Sequence, residues 1–382
     1  MSAPGTPRFA LVAGEASGDL LASLVLKAMR ARWPQLQAQG IGGPAMVEQG
    51  FEPWWPAQKL SVSGYVEVLR HLREILGIRD ALRDRLLDER PDLFIGVDAP
   101  DFNLGLEAQL RARGIKTVHF VCPSIWAWRM KRVEKLKRGC DHVLCIFPFE
   151  PELLARHGVE ATYVGHPLAN VIPMEPDQAG ARAALGLPQG QEVIAILPGS
   201  RASEIETLAP RFLAAAARLQ QQRPNAWFVL PAVPALQGRI SQLARSGPAP
   251  RHLVIVTGQS HAALAACDVA LVASGTATLE TALFKRPMVI SYATHWLTYA
   301  LMKPRQLQPW IGLPNILCRE FVVPELLQSN AKPELLCGAL ADWLDAPARM
   351  RAVQEKFRDL HVLLQRDTAT LATDAIEKVL AR

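Results

Sequence analysis

Apolar runs of strand length recur along the chain, each followed by a small-residue turn and then by apolar positions three and four apart. Phe9-Ala-Leu-Val-Ala13, Asp92 to Val97, Lys116 to Val121, His142 to Phe147 and Ala161 to Val164 are such runs in the first part. Glu192 to Leu197, Ala226 to Leu230, Leu253 to Val256, Val269 to Ala273 and Met288 to Ile290 restart the rhythm further on. Near-continuous apolar runs read as strands buried on both faces, and the 3.6-residue spacing after them as amphipathic helix. Strands alternating with helices predict parallel, doubly wound sheets. The rhythm lapses between residues 173 and 190, rich in Pro, Gly and Ala, which marks a linker. The expected fold is therefore α/β with two Rossmann-like domains, 1–170 and 171–340, and Pro333 to Leu380 reads as a helical tail.

Two stretches interrupt this scheme. Gly40-Ile-Gly-Gly-Pro-Ala45 matches the GxGxxA spacing of a dinucleotide turn, but Gln35 to Gln39 ahead of it is not an apolar strand and Pro44 sits inside the turn, so the match is discounted. Tyr65 to Leu76 places Tyr65, Val68, Leu69, Leu72, Ile75 and Leu76 on one helical stripe with Arg70, Arg73 and Arg79 nearby. A stripe of this kind packs into a core or, flanked by arginines, lies on an anionic membrane.

Composition narrows the classes. The 382 residues are 49% hydrophobic and 20% charged, which excludes a disordered chain and gives enough apolar surface for two cores. A net charge of +6 favours anionic partners without choosing among them. The basic residues are not interleaved with a base-stacking aromatic face, so nucleic acid is not expected. Six cysteines lie scattered without a CxxC pair or zinc spacing, as in a reduced cytoplasmic protein with no structural metal. Residues 1–7 lack a signal-peptide pattern, and Pro287 to Met302, the longest uncharged stretch, is too short to span a bilayer.

Candidate chemistry sits at the ends of the predicted strands. Ser274-Gly-Thr-Ala-Thr-Leu-Glu280 joins a strand to a helix, so the N–H groups of Ser274, Gly275 and Thr276 stand where phosphate is attracted. Glu280, further into that helix, is placed to accept hydrogen bonds from a ribose diol; the alternative is a capped helix with a solvated Glu. Leu197-Pro-Gly-Ser-Arg201 offers a second cradle, with amides at Gly199 and Ser200 and a guanidinium at Arg201 suited to a pyrophosphate. In the first half the carboxylates Glu15 and Asp98 follow strands, and Asp98 is placed where ligands of open α/β sheets bind, or else caps the helix opened by Pro100. Leaving-group binding in one half and a base in the other suit group transfer from an activated donor.

Gly14-Glu-Ala-Ser-Gly-Asp19, Val97-Asp-Ala-Pro-Asp101, Pro123-Ser-Ile-Trp-Ala-Trp128, Gly165-His-Pro167, Pro198-Gly-Ser-Arg201, Ser274 to Glu280, Gly312-Leu-Pro-Asn-Ile316 and Val323-Pro-Glu-Leu-Leu-Gln328 occur in that order across most of the chain. Together they resemble the lipid-A-disaccharide synthases. The resemblance implies an inverting glycosyltransferase of the two-Rossmann (GT-B) type, peripheral on the cytoplasmic face of a Gram-negative inner membrane. It implies UDP-2,3-diacylglucosamine as donor and 2,3-diacylglucosamine 1-phosphate (lipid X) as acceptor, joined β-1′,6 with release of UDP. The tail, 341–382, would pack back on the N-terminal domain of its own or a partner subunit in a homodimer.

On this resemblance Asp98 takes the proton of the acceptor 6-hydroxyl, with Glu15 and Ser17 as orienters or rival bases. Arg201 and the two turns hold the departing UDP, Asn315 joins the binding set, and neither metal nor cofactor is needed. The Tyr65 to Leu76 stripe becomes a membrane-docking face, and the Trp126/Trp128 stretch favours a lipid acceptor. The rival readings are another UDP-sugar enzyme of the same fold, a peptidoglycan-type glycosyltransferase or an epimerase, and a non-catalytic nucleotide-sugar binder.

Overall fold

The structure, a computed structural model, describes residues 6–57, 60, 65–127, 130–294 and 307–382, with the side chains of Ala16 and residues 65–72 left aside. The chain divides into two compact units: one runs to Pro167 and includes Leu364–Arg382, and the other is Leu168–Leu363.

Among the described residues the first unit holds a seven-stranded sheet of order β3-β2-β1-β4-β5-β6-β7. Its strands are β1 (Arg8–Ala13), β2 (Gln37–Gly42), β3 (Glu52–Pro56), β4 (Leu93–Val97), β5 (Lys116–Phe120), β6 (His142–Cys145) and β7 (Ala161–Tyr163). Neighbours pair in parallel throughout. β4 is buried along its whole length because helices cover both faces of a parallel sheet, which is why its sequence is an uninterrupted apolar run.

β2 corrects the expectation for the GxGxxA stretch. Gln37–Gly42 is a strand after all, in register with β1, and Pro44 opens the helix Pro44–Glu48. The N–H groups that would meet a pyrophosphate are nevertheless taken. Asp19, itself buried, accepts from Gly43 at 2.9 Å, Ala45 at 2.9 Å and Met46 at 3.1 Å. Gly43 has to lack a side chain here, since a Cβ would fall 2.5 Å from the Asp19 carboxylate.

The second unit carries a six-stranded parallel sheet of order β10-β9-β8-β11-β12-β13. Its strands are β8 (Val193–Leu197), β9 (Trp227–Ala232), β10 (Leu253–Thr257), β11 (Val269–Ala273), β12 (Met288–Tyr292) and β13 (Glu325–Leu327). The helix Ala202–Gln222 buries Ile205, Leu208, Phe212, Leu213 and Leu219 against it. Each large apolar side chain so buried contributes about 1.5–3 kcal/mol.

The tail departs from the expected boundary. The helices Pro333–Leu344 and Pro347–Leu364 belong with the second unit, the former packing on Ala202–Gln222. Only the last helix, Thr368–Leu380, packs on the first unit of the same chain, against Ala16–Arg32. Arg32 pairs there with Asp374 at 2.7 Å and Glu377 at 2.5 Å, and Lys116 Nζ donates to the Leu380 carbonyl at 2.6 Å. No helix among the described residues is long and apolar enough to cross a membrane.

Candidate functional site

In the second unit the turns that follow β8 and β11 line one cavity of about 430 Å³. Gly199, Ser200, Arg201, Ser274, Gly275, Thr276 and Glu280, expected from separate stretches of sequence, all face it. β8 and β11 are hydrogen-bonded neighbours, so their carboxyl-end loops emerge side by side. The helix Thr276–Leu283 begins at Gly275, whose φ of 149° only glycine adopts readily. The Ser274 N–H, expected in this cradle, is spent on Ser291 O at 3.0 Å, whereas those of Gly275, Thr276 and Ala277 meet no acceptor among the described residues. They are the free donors that a helix start leaves for an anion. Glu280 is partly buried, its carboxylate 3.3 Å from His261 Nε2.

The Gly199–Arg201 turn works differently from the expectation. Glu204 folds back from the first turn of the Ala202–Gln222 helix and takes the Ser200 N–H at 3.0 Å and the Arg201 N–H at 3.2 Å. Those amides are therefore not spare donors. What the turn offers is the Arg201 guanidinium, 68% exposed and held by one bond of 2.9 Å to Glu204. Gly199 sits at φ 116°, and a Cβ there would fall 2.4 Å from Glu204 Oε2. Sequence reasoning missed Glu204, although a Glu three residues past a helix-entry position is the visible sign of such a clamp.

Asn315 does not join this site. Its fully buried amide donates to Val323 O at 2.9 Å and Glu325 Oε1 at 2.8 Å and accepts from the N–H groups of Val322 and Val323. Both donors and both acceptor positions are spent on the chain between 315 and 325, leaving none for a ligand.

In the first unit Asp98 follows β4 directly, half-buried at the carboxyl end of the sheet. Asp98 and Ala99 both lie in the left-handed region, at φ 50° and 42°. The Asp98 N–H donates to Phe120 O at 2.8 Å. Burial raises the Asp98 carboxyl above the usual carboxylate range, opposed by His119, the Ala99 N–H and Arg132. Glu15 and Ser17 are exposed at the start of the Ala16–Arg32 helix, on the same sheet edge, since β1 pairs with β4 and Gly14 lies against Ala99.

Trp126 is not available to a lipid. It is buried, donates through Nε1 to Glu150 at 3.0 Å, and meets Phe147 and Phe149 edge-on; Trp128 lies outside the described residues. Burial pushes fully enclosed Glu150 up to about 8 and His166 down to about 4. Two buried clusters, Glu107/His119/Cys140 and Cys122/Cys145/Glu150, bring metal-ligating atom types together. Burial holds the Cys140 and Cys145 thiols well above their ordinary range, so neither is a ready thiolate ligand.

A family model described as Lipid-A-disaccharide synthetase matches residues 9–379. This chain belongs to the lipid-A-disaccharide synthase family. It is 62% identical over 376 residues to the lipid-A-disaccharide synthase of Albidiferax ferrireducens, covering 97% of each chain. With that of Verminephrobacter eiseniae it is 61% identical over 379 residues, 98% of this chain and 97% of the other. Among solved structures, the glycotransferase of kitacinnamycin shares the fold, with a TM-score of 0.65 at 18% identity over 99% of this chain and 100% of that one. Family membership makes the chain a glycosyltransferase that forms the lipid A disaccharide. A peptidoglycan-type enzyme, an epimerase or a non-catalytic binder of the same fold is not favoured.

Proposed function

We propose that the 430 Å³ cavity holds the uridine diphosphate of UDP-2,3-diacylglucosamine, and that Asp98 activates the 6-hydroxyl of 2,3-diacylglucosamine 1-phosphate. The convergence of the Gly199–Arg201 and Ser274–Glu280 stretches on one cavity carries this reading. The free amides of Gly275, Thr276 and Ala277 meet one phosphate, and Arg201 pairs with the other. Donors fixed in advance at the position where charge builds up stabilise the departing diphosphate more than the bound donor. Glu280 accepts from the ribose. As the hydroxyl oxygen forms the β-1′,6 bond to the anomeric carbon, its proton passes to the Asp98 carboxylate and the anomeric bond to UDP breaks. Arg201 and the helix start supply the positive potential that a divalent ion provides elsewhere, so the reaction needs no metal.

Incubating the protein with a diacylated UDP-glucosamine and the acylated monosaccharide 1-phosphate, without divalent metal, should yield the disaccharide 1-phosphate by mass spectrometry. Absence of product under these conditions, with product on adding magnesium, would remove the metal-free part of the reading.

Both substrates carry acyl chains, so the enzyme works at the membrane surface, on the cytoplasmic face where nucleotide-sugars are found. The Tyr65–Glu89 helix begins with the apolar stripe of residues 65–76, whose first eight side chains lie outside the described residues. An apolar stripe beside arginines suits an anionic bilayer. Changing Val68, Leu69 and Leu72 together to Ser should abolish co-sedimentation with anionic vesicles while circular dichroism stays unchanged; unfolding with binding retained would assign the stripe to the core.

A further inference from the structure

Behind the Asp98 turn, on the face covered by the Pro100–Arg111 helix, lies a buried polar cluster that the reaction as described does not use. Asn103, Glu107 and His119 are all completely buried. Glu107 Oε1 lies 2.7 Å from His119 Nδ1, and Oε2 accepts from the Cys140 thiol at 3.2 Å. The chain makes room for this carboxylate. A Cβ on Gly96 would fall 2.1 Å from Glu107 Oε1, and Gly96 is the residue of β4 in register with His119. An apolar pair of the same volume is often as stable as a buried acid–imidazole pair, so filling space does not account for the cluster. Two of its polar atoms, His119 Nε2 and Asn103 Oδ1, are buried without a partner among the described residues.

The cluster is tied to the turn that carries Asp98. Asn103 Nδ2 donates to Asp98 O at 2.8 Å and to Val97 O at 3.4 Å, and the Phe102 and Asn103 N–H groups donate to Ala99 O at 2.9 and 3.0 Å. Consecutive left-handed residues other than glycine persist only where their surroundings hold them. We propose that Asn103 and the Glu107–His119 pair are positioning residues for Asp98, holding the strained turn that presents it. The proposal rests on Asp98 being the base.

Among the described residues, His119, the Ala99 N–H and Arg132 act on the Asp98 carboxyl. His119 faces it from β5 and Arg132, itself paired with Asp101 at 2.6 Å, from the Arg132–Gly139 helix. Cys140, with Arg111 and Asp141 beyond it, lies on the far side of Glu107. His119 draws the carboxyl down while burial draws it up, so removing the ring leaves burial less opposed.

The test is the pH profile of kcat/KM for disaccharide formation by His119→Gln. Its acid limb is expected to move up, because burial of the Asp98 carboxyl is left less opposed, with the rate recovering at higher pH and UDP affinity unchanged. Asn103→Leu, which keeps volume and removes the donor, is expected to lower kcat on the order of tenfold with donor KM unaltered. An unmoved acid limb, with rates falling only in step with the folded fraction, would overturn the proposal. Failure of both variants to fold would also overturn it, making the cluster purely structural. Asp98→Asn separates the two levels: full turnover in that variant ends the base assignment itself, whereas an inactive Asp98→Asn beside an unmoved His119→Gln profile ends only the positioning role.

Discussion

Around the 430 Å³ cavity of the second unit, partly buried acids brace exposed partners: Glu204 ties down the Gly199–Arg201 turn and its exposed guanidinium, and Glu280 lies against His261. Around the strand ends of the first unit, ionisable groups are sunk instead. Glu107 and His119 pair in the interior, Glu150 is enclosed by Trp126 and backbone amides, and Asp98 sits half-buried on a strained turn. An exposed, braced set can meet a ligand that brings its own charge and leave again with it. A sunken set has its ionisation governed by its surroundings, which is what moving a proton requires. On the proposed reading, binding and proton chemistry occupy different units of one chain because they need different degrees of contact with water.

The sharpest way to break this comparison is Asp98→Asn, which should lower kcat by about 10²–10⁴-fold, the range for a general base, while UDP affinity by calorimetry stays near wild type. Weaker UDP binding in that variant would show that the first unit also binds the nucleotide. Next in size, Arg201→Ala should cost on the order of 10²-fold in kcat/KM, most of it in kcat if the guanidinium acts mainly on the departing diphosphate; a pure KM effect would reduce Arg201 to ground-state binding. Glu280→Ala should weaken UDP by about 1–3 kcal/mol, the cost of losing a charged hydrogen bond, and unchanged affinity would exclude the ribose contact. Gly199→Ala should lower stability by about 1–3 kcal/mol in urea titrations, from forced backbone strain and the clash with Glu204.

The buried groups of the first unit also predict a pair of opposed pH slopes in stability. Glu150 is held near 8, above its ordinary value of 4.5, so its contribution is complete below 4.5 and is lost as pH rises through 8. His166 is held near 4, below its ordinary 6.5, so its contribution is present above 6.5 and is lost as pH falls through 4. Denaturation midpoints of Glu150→Gln should therefore flatten between pH 6.5 and 8 and keep the acid-side decline. A decline on both sides unchanged by this substitution would show that Glu150 is not held protonated.

How far this was legible depended on which contacts are local. β4, β8 and β11 announce themselves because strands covered on both faces leave no room for polar residues. β2 carries Gln37, Gln39 and two glycines, β3 is Glu-Pro-Trp-Trp-Pro, and β13 has three residues after Pro324, so none of them makes an apolar run. The two glycine turns of the cavity could be read because each follows a readable strand and lies within a few residues of sequence. Glu107 and His119 could not, since their meeting depends on helix and strand packing across the missing side chain of Gly96. Asn315 was misplaced for a related reason: a motif names an amide but not the direction in which it turns.

Because Thr368–Leu380 supplies a side of the first unit, that unit is begun before the second is synthesised and completed only after it. While the second unit is being made, the Ala16–Arg32 helix lacks the cover that Thr368–Leu380 later gives it, and Arg32 lacks its two carboxylates. A nascent chain cut short before Thr368 would keep that surface bare for chaperones or proteases to find.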